Sequence, residues 1–457
     1  MALTDYHHGT RVIEVNAGTR PLRVVNTSVI GLVATAADAD ATFFPLDTPV
    51  LITDLDAAIG KAGTDGTLKT TLTNIAAQGR FATVVVRVAE GEDVAETNTN
   101  VIGTTTSNGQ KTGLQALLGA KAALGVQPRI LGCPGLDTQP VTAALATLAG
   151  KLRGFAYAAA IGNTVTAAAT YRAQFGQREL MLIYPDWLGW DTTTSATIAM
   201  PATAHALGLR AKIDNETGWH KTLSNVAVSG VTGVSLPIHW DLQDMANDAG
   251  VLNTADVTTL VNANGYRYWG SRTCSDDPQF AFESSVRTCN VLKDTIAEGM
   301  LWAVDKPMHP SIIKDIINTI NAKFRQLKTL GYILGGEAWY DPDINTADSL
   351  KSLAARLQAT SREIADGVGE QHSSTSAMAA AVEEMTVYIN HITDNASDAR
   401  RLSSDSSEAA AQGSKVVKAA VGEMSGIAGV IGTAVERVEA LGRESERAAE
   451  VVGIIKG

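Results

Sequence analysis

The spacing of apolar residues changes near Ser352. Before it, short apolar runs are punctuated by proline, tryptophan and turn residues, the last being Pro342 and Trp339. After it, apolar positions recur at alternating steps of four and three residues as far as Ile455. Two physical strategies meet at this point, and each side has its own reading.

In the first part, the runs 10–15 and 21–25, separated by Asn16-Ala17-Gly18, predict two short strands ahead of any segment able to give them a core. Strand-like runs follow at 29–33, 50–52 and 82–88, with a helix-like run at 55–61. The Thr, Asn and Gly-rich stretch 97–112 predicts an exposed loop or hairpin at a module boundary. From about residue 114, strands at 130–133, 155–161 and 180–184 alternate with helices at 141–153 and 167–175. Such alternation implies crossover connections and a largely parallel sheet covered on both faces. Helices at 201–209, 284–304 and 311–330 and a strand at 233–238 extend the same domain. Within 311–330, Ile312, Ile316, Ile320 and Phe324 form one apolar face, while Lys314, Lys323, Arg325 and Lys328 against Asp315 leave the helix net basic. The expected fold is α/β: a core of mixed sheet and flanking helices over 114–351, a smaller β-rich module over 28–113, and a long C-terminal coiled-coil-type helix over 352–457.

A length of 457 residues exceeds what one hydrophobic core organises. The net charge is −11 and both sides of Ser352 are mildly acidic, so no basic face is available for nucleic-acid phosphates. Three cysteines, Cys133, Cys274 and Cys289, have an odd count and no CxxC spacing, which points to free thiols in a reducing compartment. The opening MALTDYHHGTRVIEV lacks the basic and apolar regions of a signal peptide, and no stretch is expected to reach membrane-spanning length. A cytoplasmic origin without membrane insertion follows.

Candidate chemistry is sparse. His7-His8 has no spaced carboxylate or cysteine companions. Asp341-Pro342-Asp343-Ile344-Asn345 opens like a calcium loop, but Thr346 stands where a glycine is needed and Ser352 where a bidentate glutamate belongs, so an Asx-type turn is expected. Phosphate-loop, dinucleotide and nucleophile-elbow motifs are missing from the sequence. Cys133, in Gly132-Cys133-Pro134-Gly135, reads as a buried structural thiol. No catalytic, cofactor-binding or metal residue is expected, and an enzyme is the weaker hypothesis.

The stretches DYHHGTRVIEVNAGTRPLRVVNTSVIGLVATA (5–36), NANGYRYWGSRTCSDD (262–277), VLKDTIAEGMLWAVDKPMHP (291–310) and GYILGGEAWYDPDINTADSLKS (331–352) resemble tail sheath proteins of contractile phages of the peduovirus type, relatives of R-type pyocin sheaths. The resemblance implies a structural subunit that polymerises helically with copies of itself around a tail tube protein, contacts baseplate and tail terminator proteins, and contracts to drive the tube through an envelope. It also implies a place in the virion tail after assembly in the host cytoplasm. Residues 1–27 then resemble a linking arm whose strands, through Arg11, Val12, Ile13, Val15, Leu22, Val24 and Val25, join a neighbouring subunit's sheet. The helix carrying Lys323, Arg325 and Lys328 resembles the segment that grips the tube.

Beyond Ser352 the seam includes Met378, Val382, Met385, Ile389, Ile392, Met424, Ile427, Ile431, Val438, Leu441, Val452 and Ile455. Of the 29 a and d positions in this register 22 are apolar, far above the chain's 45%, which predicts a coiled-coil helix. Ten glycines and a single aromatic, Tyr388, leave most of its stability to partner helices, so self-association through 353–457 is expected. The segments 376–417 and 446–457 resemble the descending helix of the cytoplasmic hairpin in methyl-accepting chemotaxis proteins. Glu383-Glu384 matches a methylated pair of that family; a solvated helix face explains the same residues. Since the chain stops before the kinase-contacting tip, chemotactic signalling is not expected. Two functions remain: a sheath subunit whose C-terminal arm has been replaced by a receptor fragment, with impaired assembly, or a coiled-coil signalling and scaffolding adaptor.

Overall fold

The computed structural model describes residues 21–191, 194–306, 309–341, 400, 408 and 411–447. Its strands are β1 (Ile30–Thr35), β2 (Pro49–Ile52), β3 (Thr83–Val88), β4 (Ile130–Gly132), β5 (Phe155–Ala159), β6 (Leu180–Ile183), β7 (Trp187–Asp191), β8 (Ala196–Met200), β9 (Gly233–Val234), β10 (Val257–Asn262) and β11 (Tyr266–Trp269). The helices are α1 (Leu55–Lys61), α2 (Leu68–Ala76), α3 (Val94–Ile102), α4 (Gly113–Ala116), α5 (Ala120–Leu124), α6 (Gln139–Leu152), α7 (Val165–Arg172), α8 (Ala202–Glu216), α9 (Asp248–Thr254), α10 (Glu283–Gly299), α11 (Pro310–Thr329) and α12 (Ala411–Arg447).

β1 and β3 are buried at every position, as continuous apolar runs require when helices cover both faces of a sheet. The eight-stranded sheet has the order β11-β10-β6-β5-β4-β1-β3-β2, with β2 and β11 antiparallel at the edges and the six strands between them parallel. Alternate side chains divide between two cores: Ile30, Leu32 and Ala34 join the one beneath α1, α2 and α8, while Val29 and Val33 join the one beneath α6 and α7.

The strand order reverses between β1 and β4, and in doubly wound sheets the crevice at the strands' carboxyl ends is where ligands bind. Here protein fills it. Thr67 caps β1, with its Oγ1 accepting from Thr35 N–H (3.2 Å) and its own N–H donating to the Thr35 carbonyl (2.9 Å). A Cβ on Gly132 would lie 2.9 Å from Leu207 of α8, and one on Gly135 3.3 Å from the Thr67 methyl. Cys133 is buried beside this plug, and burial pushes its thiol far up; the Cys274 thiol is pushed up to about 12 for the same reason.

Asp137 sits at the same end, its Oδ2 accepting from Ala159 N–H at 2.7 Å, and burial pushes its carboxyl up to about 6. A carboxyl raised in the folded state binds its proton more tightly there than in the unfolded chain, so its contribution to stability is lost as pH rises from about 4 through 6. Asp137→Asn keeps the acceptor and removes the buried charge. The variant is expected to gain stability over the parent across that window, reaching on the order of 3 kcal/mol at pH 7. His205 is also buried, with its imidazole held down to about 4 by burial, so its own titration destabilises the fold as pH falls. It is common to both proteins and cancels in the difference. Urea titrations of parent and variant from pH 4 to 7.5 read it; a pH-independent difference would contradict the assignment.

Several expectations change. The module over 28–113 is not separate, because β1 pairs with β4 as well as with β3. Residues 97–102 of that stretch are helical: Asp93 caps α3 by accepting from Glu96 N–H (2.8 Å), and 103–112, with the turn bridged by Thr105 and Lys111, remain loop. The strand expected at 233–238 shortens to β9, which with β7 and β8 forms a second, three-stranded sheet. Residues 21–25 form no strand.

The chain divides into two compact units, Met1–His372 and Ser373–Gly457, later than the expected boundary at 352. In the second unit, α12 carries Met424, Ile427, Ile431, Val438 and Leu441 on one continuous helix, all exposed. The expectation that no stretch is long and apolar enough to cross a membrane is not met: α12 has 37 residues and a mean hydropathy of 1.3 over its most apolar window. Its large apolar residues fall on one side, with Gly422, Gly426, Gly429 and Thr433 opposite. Met378, Val382, Met385, Ile389, Ile392, Val452, Ile455 and the Glu383-Glu384 pair lie outside the described residues, as does the 342–352 turn.

Candidate assembly interface

α10 ties the first unit together through ion pairs along one of its faces. At its start Glu283 accepts from Thr222 Oγ1 (3.2 Å), Leu223 N–H (3.1 Å) and the Tyr157 hydroxyl, and pairs with Arg210 of α8 at 3.1 Å. Arg210 also pairs with Asp214 one turn along α8 (2.7 Å), and Asp214 holds Arg287, one turn along α10. The four side chains are buried and their charges cancel. Burial opposes ionisation of Glu283, but the guanidiniums of Arg210 and Arg287 outweigh it and hold its carboxyl below the ordinary value. Farther along, Asp294 pairs with Arg129, just before β4, and with Arg153, just after α6, while Lys121 reaches Glu298 at 2.6 Å. These pairs dock α10 on the amino-terminal edge of the sheet.

The opposite face of α10 builds a third core. Val291, Leu292, Ile296 and Met300 gather with Ile320, Phe324 and Leu327 of α11, and with Trp219, Ile333, Ala338 and Leu22. Among the expected arm residues, Leu22 is 7% exposed and Val24 and Val25 pack partly buried on this core, so the segment has a local core after all. Arg11, Val12, Ile13 and Val15 lie outside the described residues.

The basic face of α11 is corrected in one residue. Lys323 is buried, its Nζ donating to Gln326 Oε1 at 3.0 Å, and desolvation lowers its pKa. Two residues advance a helix by about 200°, so Lys323 points away from the face that carries Arg325. Lys314, Arg325 and Lys328, at steps of eleven and three, do share one exposed face. Past α11, Asn321 clamps the chain by donating from Nδ2 to the Ala338 carbonyl (2.8 Å) and accepting its N–H (2.7 Å). Around that clamp Leu330, Leu334 and Trp339 are exposed, an accumulation of apolar surface typical of a contact site.

The sequence reading missed the buried charges. Arg210 and Asp214 stand four residues apart on α8, and that spacing was the available signal. Its buried partners Glu283 and Arg287 are some 70 residues away and have no local signature.

Residues 109–274 match the family model of the phage tail sheath protein central domain, residues 275–361 that of the phage tail sheath C-terminal domain, and residues 27–88 that of the tail sheath protein Gp18 domain III N-terminal region. The chain belongs to the phage tail sheath family. It is 54% identical over 357 residues to the tail sheath protein of Escherichia phage P2, covering 77% of this chain and 90% of that one. With the major tail sheath protein of Serratia phage KSP20 the identity is 47% over 344 residues, covering 74% and 87%. The fold is shared with the sheath complex of an extracellular contractile injection system in its contracted state, at a TM-score of 0.54 and 17% identity, covering 77% of this chain and 92% of that one. The contracted helical sheath of the anti-feeding prophage gives 0.53 and 18%, covering 73% and 87%.

The sheath family's C-terminal domain model begins at residue 275, so α10, α11 and most of the third core belong to it, while Trp219 comes from the central domain and Leu22 from the far end of the chain. The match runs to residue 361, past Ser352. The sheath family is structural.

Proposed function

We propose that the chain is a contractile-sheath subunit that stacks helically with copies of itself around a tail tube, attached at baseplate and terminator, with residues beyond about 361 replaced by a chemoreceptor-type helix. The observation that carries this reading is the 54% identity covering 90% of the P2 relative, which includes the α10 and α11 module. In this reading Arg11, Val12, Ile13 and Val15 add a strand to a neighbour, since exposed sheet edges accept strands through main-chain hydrogen bonds. The exposed face of Lys314, Arg325 and Lys328 meets the tube, and Lys323 supports it from within.

The segment that forms α12 does not serve as a second arm, because a helix satisfies its backbone donors internally. Assembly is therefore impaired, and α12 pairs instead with other copies of itself along its seam. The uncovered apolar seam of α12 favours one rival, an adaptor that oligomerises through this helix. Electron microscopy of the full chain together with tube protein separates the two. Short or sparse sleeves on tubes support the sheath reading, whereas uniform discrete bundles that ignore the tubes support the adaptor.

A further inference from the structure

The two ends of the folded sheath region leave from one place. Leu22, among the first described residues, is buried in the third core, and it lies so close to Gly299 that a Cβ there would fall 2.1 Å from its Cδ2. Val25 and Thr27 line a small cleft with Asn290, Val291 and Asp294 of α10. From residue 22 to residue 27 an extended chain travels about 16 Å, and from Gly299 back to Val291 a helix travels about 12 Å. The segment is thus a strap laid antiparallel along α10.

The other end is held in the same way. Ile333 and Ala338 complete the core, Asn321 clamps the Ala338 backbone from both sides, and a Cβ on Gly336 would meet the Phe324 ring at 3.0 Å. The Tyr332 ring packs edge-on against Trp219 (4.8 Å between centroids) and stacks on His220 at 4.4 Å. The strap and the outgoing segment are separated by more than 300 residues in sequence, yet they share a cluster of eleven buried residues, most of which come from α10 and α11.

We infer that this core is a coupling joint: the seat of the N-terminal strap and the seat of residues 331–341 are one packed unit, so loosening either end loosens the other. A close-packed core relaxes only partly around lost volume, and Leu22, Ile333 and Ala338 belong to one such core. Coupling of two sites through a shared equilibrium is reciprocal. That the joint passes displacement between inter-subunit links during contraction rests on the sheath reading; the coupling itself does not.

Amide hydrogen exchange on the full chain as a free subunit tests it, without any assembly. Leu22→Ala is expected to speed exchange in 331–341 about tenfold as well as in 21–28, and Asn321→Ala to speed exchange in 21–28 as well as in 331–341. Peptides from β1 and β5 should not change. Effects confined in each variant to its own segment overturn the inference. Should Leu22→Ala also loosen β1 and β5, Leu22→Val is read by the same criterion. A sleeve assay plays no part, so failure of the sheath reading would leave these exchange patterns unchanged.

Discussion

Replacing Arg210 by methionine is expected to cost the folded first unit about 3–5 kcal/mol, the range for breaking a buried ion pair from one side. Arg210 has no exposed surface; it holds Asp214 and Glu283 and donates to the carbonyls of Lys221 (2.6 Å) and Gly218 (3.3 Å). Its loss leaves two buried carboxylates sharing Arg287, with one uncompensated negative charge. The methionine fills most of the volume, so the cost reports electrostatics rather than a cavity. Against a total of roughly 5–15 kcal/mol for a folded domain, the variant should be largely insoluble when expressed warm. All seven tryptophans precede Ser352, so urea denaturation followed by their fluorescence reports this unit without interference from the C-terminal helix. Adding Glu283→Gln should recover part of the loss, because the pair couples. A cost below about 1 kcal/mol for Arg210→Met would mean that water reaches the network, and the account of α10 given above would fail.

Exchanging residues 362–457 for the corresponding ending of the P2-type relative is expected to raise sleeve formation well above that of the parent chain. A strand of about five residues offers a neighbour several main-chain hydrogen bonds, each contributing about 1 kcal/mol net. A difference of only 3 kcal/mol per subunit contact lowers the concentration needed for polymerisation by more than 100-fold. Pelleting assays and electron microscopy with tube protein measure it directly. In the repaired chain, reversing the charge at Lys314, Arg325 and Lys328 should reduce the fraction of sleeves seated on tubes and leave the melting temperature unchanged, since all three are exposed. Lys323→Met, in contrast, should act on stability alone. If the repaired chain stays monomeric while its tryptophan fluorescence shows a folded unit, the sheath reading is wrong.

Much of the sheet was legible because the signal is local. A strand covered on both faces must be apolar throughout, and β1, β3, β4, β5 and β6 each appear as such a run. α1 was expected with its observed limits, since Asp54 caps it and apolar spacing carries it. β7 and β8 were not read. Trp-Leu-Gly-Trp-Asp and Ala-Thr-Ile-Ala-Met each bury only part of their length, and it is their mutual pairing that makes them strands. Thr and Asn in α3 favour loop over helix, and the Asp93 cap overrides that weak propensity.

By itself the sequence determined the α/β class, the change of apolar spacing along the chain and, through long matching segments, the sheath resemblance. All of these are patterns within a few turns or strands of one another. Only the tertiary structure decided that the N-terminal module shares one sheet with the core, that the crevice at its head is filled, that Lys323 is buried, and that Arg210 meets Glu283 73 residues away. It also decided that Leu22 docks against Gly299 in the core that holds Ile333. Contacts of that kind depend on shape and charge matching between distant segments, and no residue's neighbours in sequence record which distant surface it will meet.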